Sequence, residues 1–176
     1  MKFYRLSSAN GYENYMLTDE CRSLELNNRF EETEPMLTEW GCKELTACTT
    51  GKNAALGYCS EPVGALVLKG QAYDVLKDLF ADGAELLPVK CGNETWYIVH
   101  ATSIEDDICF TETGRVVTHK VFQNGPKERA LCDQYFFRLH DRYHNMIFTE
   151  KFVRHINDLK LTGVKFVEDG AFADTE

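Results

Sequence analysis

His140 and His144 stand four residues apart in "FFRLHDRYHNMIF", with Asp141 beside the first. On a helix that spacing puts two imidazoles on one face, as in zinc peptidases, where a Glu directly after the first His serves as general base. Here Asp141 holds that place with a shorter reach, and the pair lies between two apolar runs of strand length, "YFFRL" and "NMIF". The expected element is an exposed hairpin loop, and no metal is expected. His100, His119 and His155 fall at a strand end, in an alternating strand and on the polar side of a helix. They read as surface or hydrogen-bonded imidazoles.

A cysteine nucleophile needs a nearby base and a means of lowering its pKa. The seven cysteines, Cys21, Cys42, Cys48, Cys59, Cys91, Cys109 and Cys132, are scattered, odd in number and never form Cys-x-x-Cys. Reduced thiols, mostly buried as small apolar groups, are expected rather than a disulfide framework or a zinc ribbon. The enzymatic alternative is a small hydrolase-type or metal-dependent site assembled from distant residues such as His119, Cys132, His140 and His144. Nucleotide binding has no support, since "VLKGQAYDVL" carries a single glycine and neither phosphate-loop pattern. No cofactor is expected.

Carboxylates dominate the charge. The net charge is −9, and between Gly11 and Glu39 eight acidic residues (Glu13, Asp19, Glu20, Glu25, Glu31, Glu32, Glu34, Glu39) face only Arg22 and Arg29. A surface that neutralises phosphates needs clustered Lys and Arg, so direct nucleic-acid binding is not expected. Neither Glu31, Glu32 and Glu34 nor Glu105, Asp106 and Asp107 follow calcium-loop spacing. They read as solvated loops or as a docking surface for a basic partner, drawn in by long-range steering. Tyr12, Tyr15, Trp40 and Tyr58 lie in polar, loop-like sequence and are candidate aromatic anchors for such a surface.

The elements that must position these groups are clearer toward the C-terminus. Lys2 to Leu6 alternates like a strand, but the part up to about residue 60 reads as loop-rich and weakly periodic. The α+β part, about 61–170, starts with the strand "VGALVL" and a helix over "GQAYDVLKDLFADG", with Ala72, Val75, Leu76, Leu79 and Phe80 at helical spacing and Gly83 as stop. "AELLPVK" and "TWYIVHA" form a hairpin around Gly92-Asn93, with Pro88 marking an edge strand or a bulge. "GRVVTHKVF" is a further strand. "TEKFVRHINDLKLTG" is a helix capped by Thr149, with Phe152, Val153, Ile156 and Leu159 on one face and Gly163 before the strand "VKFV". Two strand-helix-strand modules in one 176-residue domain imply an α+β fold, helices packed on a mixed or antiparallel sheet.

No stretch approaches the roughly 18 uninterrupted apolar residues of a membrane span, and the first twenty residues lack a secretory signal. A cytoplasmic protein without membrane contact is expected.

The ordered string "GALVLKGQAYDVLKDLF", "AELLPVK", "ETWYIVHAT" and "YFFRLHDRYHNMIFTEKFVRHINDLKLTGVKF" resembles immunity protein family eleven of bacterial polymorphic toxin systems, once grouped as a domain of unknown function. The resemblance covers roughly Pro62 to Glu168 and carries no active-site residues. It implies a small antidote, not an enzyme, that binds and occludes a cognate toxin, a basic domain in many such systems. A third possibility is an accessory module that self-associates through the edge strand near Pro88.

Overall fold

A computed structural model describes residues 2–31, 34–61, 64–103, 133–138 and 146–168. The strands among them are β1 (Phe3–Ser8), β2 (Asn14–Leu17), β3 (Leu45–Ala47), β4 (Leu56–Glu61), β5 (Ala65–Leu68), β6 (Ala84–Cys91), β7 (Glu94–Ala101), β8 (Phe136–Phe137), β9 (Ile147–Thr149) and β10 (Val164–Glu168). The helices are α1 (Leu24–Glu31), α2 (Gly70–Leu76) and α3 (Glu150–Asp158), with 3-10 turns at Leu37–Glu39 and Lys77–Phe80. The fold is α+β. None of the described helices is long and apolar enough to cross a membrane.

Two sheets result. One is antiparallel, in the order β10-β1-β9-β8; the other is mixed, in the order β3-β2-β4-β5-β7-β6, with β2 and β4 parallel. Both anticipated modules are present, and they share an arrangement. β5 and β6 flank β7, as β9 and β10 flank β1, each neighbour antiparallel. The two strands joined by each helix are therefore parallel with one strand between them, a split β-α-β unit.

The six-stranded sheet curls until its outer strands meet, where Glu44 bridges to Lys90 and the Lys90 N–H donates to the Lys43 carbonyl at 2.8 Å. Period-two alternation then divides its side chains between two cores. Tyr15, Leu17, Leu45, Cys59, Val67, Leu87, Val89, Trp96 and Ile98 fill the concave side, and Leu26, Phe30, Met36 and Trp40 close it. The other side takes Leu56, Leu66, Leu68 and Val99 against Ala72, Leu76 and Phe80, together with Phe136, Phe148, Phe152 and Ile156 from the four-stranded sheet and α3.

The edge role of Pro88 is borne out, since β6 ends the six-stranded order. The chain folds back over that edge. The Pro88 carbonyl accepts from Trp40 Nε1 at 2.7 Å, so the acceptor that Pro88 offers outward is used within the chain.

Local chemistry sets the helix ends. The Thr149 hydroxyl accepts the Phe152 N–H at 3.4 Å, the expected cap of α3. Gly163, at φ +121°, lies so close to β4 that a Cβ there would come within 1.9 Å of the Leu56 carbonyl oxygen. Phe152 and Ile156 face the core as read from sequence, whereas Leu159 is exposed. On α2 and its 3-10 extension the buried residues are Ala72, Leu76 and Phe80, while Val75 points outward.

One expectation needs correction. The first 60 residues keep long connections, but they also supply four strands, α1 and much of the concave core. Their strands are short and pair with distant partners, which leaves little periodicity to read. Tyr15 and Trp40 are accordingly core residues, 1% and 3% exposed, and not the surface anchors their polar neighbours suggested.

Candidate functional site

The acidic segment is built as a platform. The Ser23 hydroxyl accepts the Leu26 N–H at 3.0 Å and starts α1. Leu26 and Phe30, one helical turn apart, enter the concave core, where the Phe30 ring meets Trp40 and His100 edge-on at 5.6 and 5.2 Å. The buried Arg138 guanidinium donates to the Phe30 carbonyl at 3.0 Å, a cation near the C-terminal end of a helix, where it is favoured.

The next fastening is Glu85 on β6. Its carboxylate accepts the Met36 N–H at 2.8 Å and the Leu37 N–H at 3.1 Å, and it lies 2.9 Å from His100 Nδ1. Two backbone donors at the start of the 3-10 turn are thus satisfied by one side chain held from behind by a buried imidazole. With Trp40 tied to Pro88, the segment is fixed at three points from Phe30 to Trp40.

Its outer side is acidic. Glu20, Glu25 and Glu34 are exposed, and so is Leu37, at 48%. The two arginines of the segment are engaged: Arg22 pairs with Asp19 and, at 2.5 Å, with Glu61, while Arg29 pairs with Glu39 at 3.1 Å. Such exposed pairs contribute little stability, but they tie down the positive charge.

Of the other predicted site residues, Glu31 is the last residue of α1. Tyr12 and Tyr58 are half-buried, Tyr12 bridging to Lys52. Glu32, Glu105, Asp106, Asp107, His119, Cys132, His140 and His144 lie outside the described residues. The strands on either side of "HDRYHN" do pair antiparallel, Phe136 with Phe148 and Phe137 with Ile147. Among the described residues no group of three or more His, Cys, Asp and Glu side chains is placed to hold a metal.

Tyr15 belongs to a second cluster, which sequence reasoning missed. Lys69, between β5 and α2, sends its side chain to one end of the concave core and is 6% exposed. Nζ donates to Tyr15 Oη at 2.8 Å and to Asn53 Oδ1 at 2.9 Å. It also sits 4.2 and 4.5 Å from the centroids of the Tyr15 and Trp96 rings, within cation–π range. Two carboxylates hold the rings: Tyr15 donates to Glu13 at 2.6 Å, and Trp96 Nε1 donates to Glu94 at 2.8 Å. Gly57 makes the space, since a Cβ there would lie 3.1 Å from Lys69 Cε and 3.2 Å from the Tyr15 ring.

Burial lowers the Lys69 ammonium to about 8, against the pull of Glu13, Cys91 and Glu94. The Tyr15 hydroxyl is pushed up, by burial first and then by its hydrogen bond to Glu13. Cys91 is also raised by burial, with Lys69 drawing it back. The sequence held one hint of this, a lysine closing the apolar run "ALVLK". The cage itself draws on positions 13, 15, 53, 57, 69, 94 and 96, which only the fold assembles.

No protein-family model matches the chain, and no curated protein shows significant similarity to it.

Proposed function

We propose that this chain is a binding protein, an antidote of the immunity type, that captures and occludes a basic toxin domain with the acidic face of α1 and the Leu37–Glu39 turn. The observation that carries this reading is the fastening of that face. Glu25 lies on the helix pinned at Phe30, and Glu34 and Leu37 lie on or beside the stretch pinned through Met36, Leu37 and Trp40, with Glu20 in the turn before α1. This reduces the ordering that binding would cost. Exposed carboxylates and an exposed leucine in one segment suit a basic partner with an apolar patch, the charges speeding encounter and the leucine adding buried area. Occlusion needs no catalytic group on this side.

The test is co-expression with the product of the adjacent gene, scoring growth and co-purification. Under this reading the neighbour is toxic alone and harmless in a stable complex. Changing Glu20, Glu25 and Glu34 together to Lys then slows association at least tenfold at low salt and removes its salt dependence. A harmless or unbound neighbour refutes the antidote reading. Unchanged association by the triple variant refutes the assignment of the face.

A further inference from the structure

We propose that Asn10 is a site of spontaneous backbone modification: the nitrogen of Gly11 closes on the Asn10 carboxamide, and the turn between β1 and β2 passes through a succinimide to aspartyl and isoaspartyl forms. This is independent of the partner-binding reading and rests on other residues.

The reaction needs a side-chain carboxamide, a following nitrogen that no side chain shields, and a peptide unit able to rotate until the two meet. Asn10-Gly11 supplies the first two by sequence, and the fold supplies the third. The Tyr12 N–H donates to the Ala9 carbonyl at 3.2 Å, so Asn10 and Gly11 are the central pair of a β-turn, and φ of +81° at Gly11 gives it the type II form. The peptide unit between them, the Asn10 carbonyl with the Gly11 N–H, makes no hydrogen bond among the described residues, nor does the Asn10 carboxamide. Both residues are exposed, and nothing lies within 4 Å of where a Cβ would stand on Gly11. Rotation about the Asn10 Cα–C bond therefore breaks no hydrogen bond of the rotating unit, and glycine accepts the new φ without a clash. Other exposed asparagines each lack a requirement. Asn28 and Asn157 lie on α1 and α3, the Asn53 carboxamide accepts from Lys69 at 2.9 Å, and Asn93 is followed by Glu94.

The atoms balance with water as the one co-reactant. Gly11 N gives its proton to solvent as its lone pair bonds to Asn10 Cγ. The carboxamide C–N bond breaks, and the nitrogen leaves as ammonia with a proton taken back from solvent. Water then opens the ring. Breaking the new Cγ–N bond leaves an aspartate on an unchanged main chain; breaking the original peptide bond sends the chain through Cβ and Cγ, one methylene longer. Either product adds a negative charge at neutral pH. The longer chain meets a tight neighbour: the Gly11 carbonyl accepts the Lys52 N–H at 2.8 Å, the Glu13 N–H donates to the Lys52 carbonyl at 3.2 Å, and a Cβ on Gly51 would fall 2.4 Å from the Tyr12 carbonyl carbon. The isoaspartyl form therefore displaces Gly11 from Lys52 and strains the start of β2, whose Tyr15 fills the concave core. The aspartyl form leaves both in place.

Ageing of the intact protein tests this. It is held between pH 6 and 9, in buffer and in unfolding guanidinium chloride; peptide mass spectrometry maps the amide-to-acid mass gain, and an isoaspartyl-specific methyltransferase marks isoaspartate. In buffer Asn10 should convert at least tenfold faster than Asn28, Asn53, Asn93 and Asn157, at a rate that rises with pH and lies within tenfold of its rate in the unfolded chain. Asn124-Gly125, outside the described residues, is read on its own peptide. Gly11→Ala should slow Asn10 at least tenfold in the unfolded chain, where the turn is gone and only the shielding of the nitrogen differs. Amide exchange at Lys52 should accelerate in the isoaspartyl fraction alone, and native exchange there would overturn the assigned strain on β2. A folded rate more than tenfold below the unfolded one, or no lead over the other asparagines, overturns the proposal and leaves a turn that protects its own Asn-Gly pair.

Discussion

Replacing Lys69 by Met keeps most of the side-chain volume and removes the buried charge, so the pH dependence of the stability difference between the two proteins isolates that charge. Lys69 titrates at about 8 in the folded chain and near 10.5 when free. Below pH 8 both states carry the proton, and the folded state bears the full cost of the buried ammonium. Between pH 8 and 10.5 the unfolded chain holds a proton that the folded chain has released, so the stability of the native protein rises with pH. The 2.5-unit interval, 10.5 less 8, corresponds to about 3 kcal/mol in all, and the steepest part to about 1.4 kcal/mol per pH unit. Native stability alone does not follow this line. Cys59, pushed up to about 12 by burial, stabilises fully below pH 9 and loses that contribution as pH rises, and Tyr15 acts likewise above pH 10. Both losses are common to the two proteins and largely cancel in the difference. Urea unfolding at half-unit steps from pH 7 to 9.5 should show native protein gaining on Lys69→Met by more than 1 kcal/mol, almost all of it above pH 7.5. A flat or falling difference would refute a desolvated Lys69.

Other substitutions probe the scaffold. Phe152 packs against the rings of Phe80, Phe148, Phe166 and Tyr135; Phe152→Ala should cost about 3–5 kcal/mol in urea unfolding with little change in m-value. Glu85→Ala removes the acceptor of two N–H groups and the partner of His100, costing about 1–3 kcal/mol. Amide exchange at Met36 and Leu37 should accelerate while exchange in α3 keeps its order relative to global opening. Gly163→Ala places a methyl against the Leu56 carbonyl at positive φ and should destabilise by more than about 1 kcal/mol. A thermal midpoint equal to that of the native protein would contradict the close approach.

What could be read in the sequence is what local chemistry dictates. The β6–β7 hairpin follows from Gly92-Asn93 between β-forming runs, and α3 from Thr149 and the Phe152/Ile156 spacing, so both were legible with their caps. β2 and β3 were not, since strands of four and three residues contain barely one period, and β2 pairs with β4 in parallel with a register shift at Tyr15/Met16. The burial of Tyr15 depends on residues 54 and 81 positions away, Lys69 and Trp96. The acidic face was half legible: its composition is linear, but its fastening through Glu85, Pro88 and Arg138 is not.

The placement of β1 bears on how the chain is made. It is an inner strand of its sheet, yet the strands on both sides, β9 and β10, begin at residues 147 and 164. At roughly 5–20 residues per second of synthesis, β1 waits on the order of ten seconds for either neighbour to exist. During that time Phe3 lacks Phe137, the ring it meets edge-on in the folded chain, and the strand lacks both of its sheet neighbours. A ribosome that stalls before residue 147 therefore yields a chain in which β1 is an open β-template. Synthesis of the stretch that holds β9 and β10, more than any early folding step, turns that hazard into the centre of a sheet.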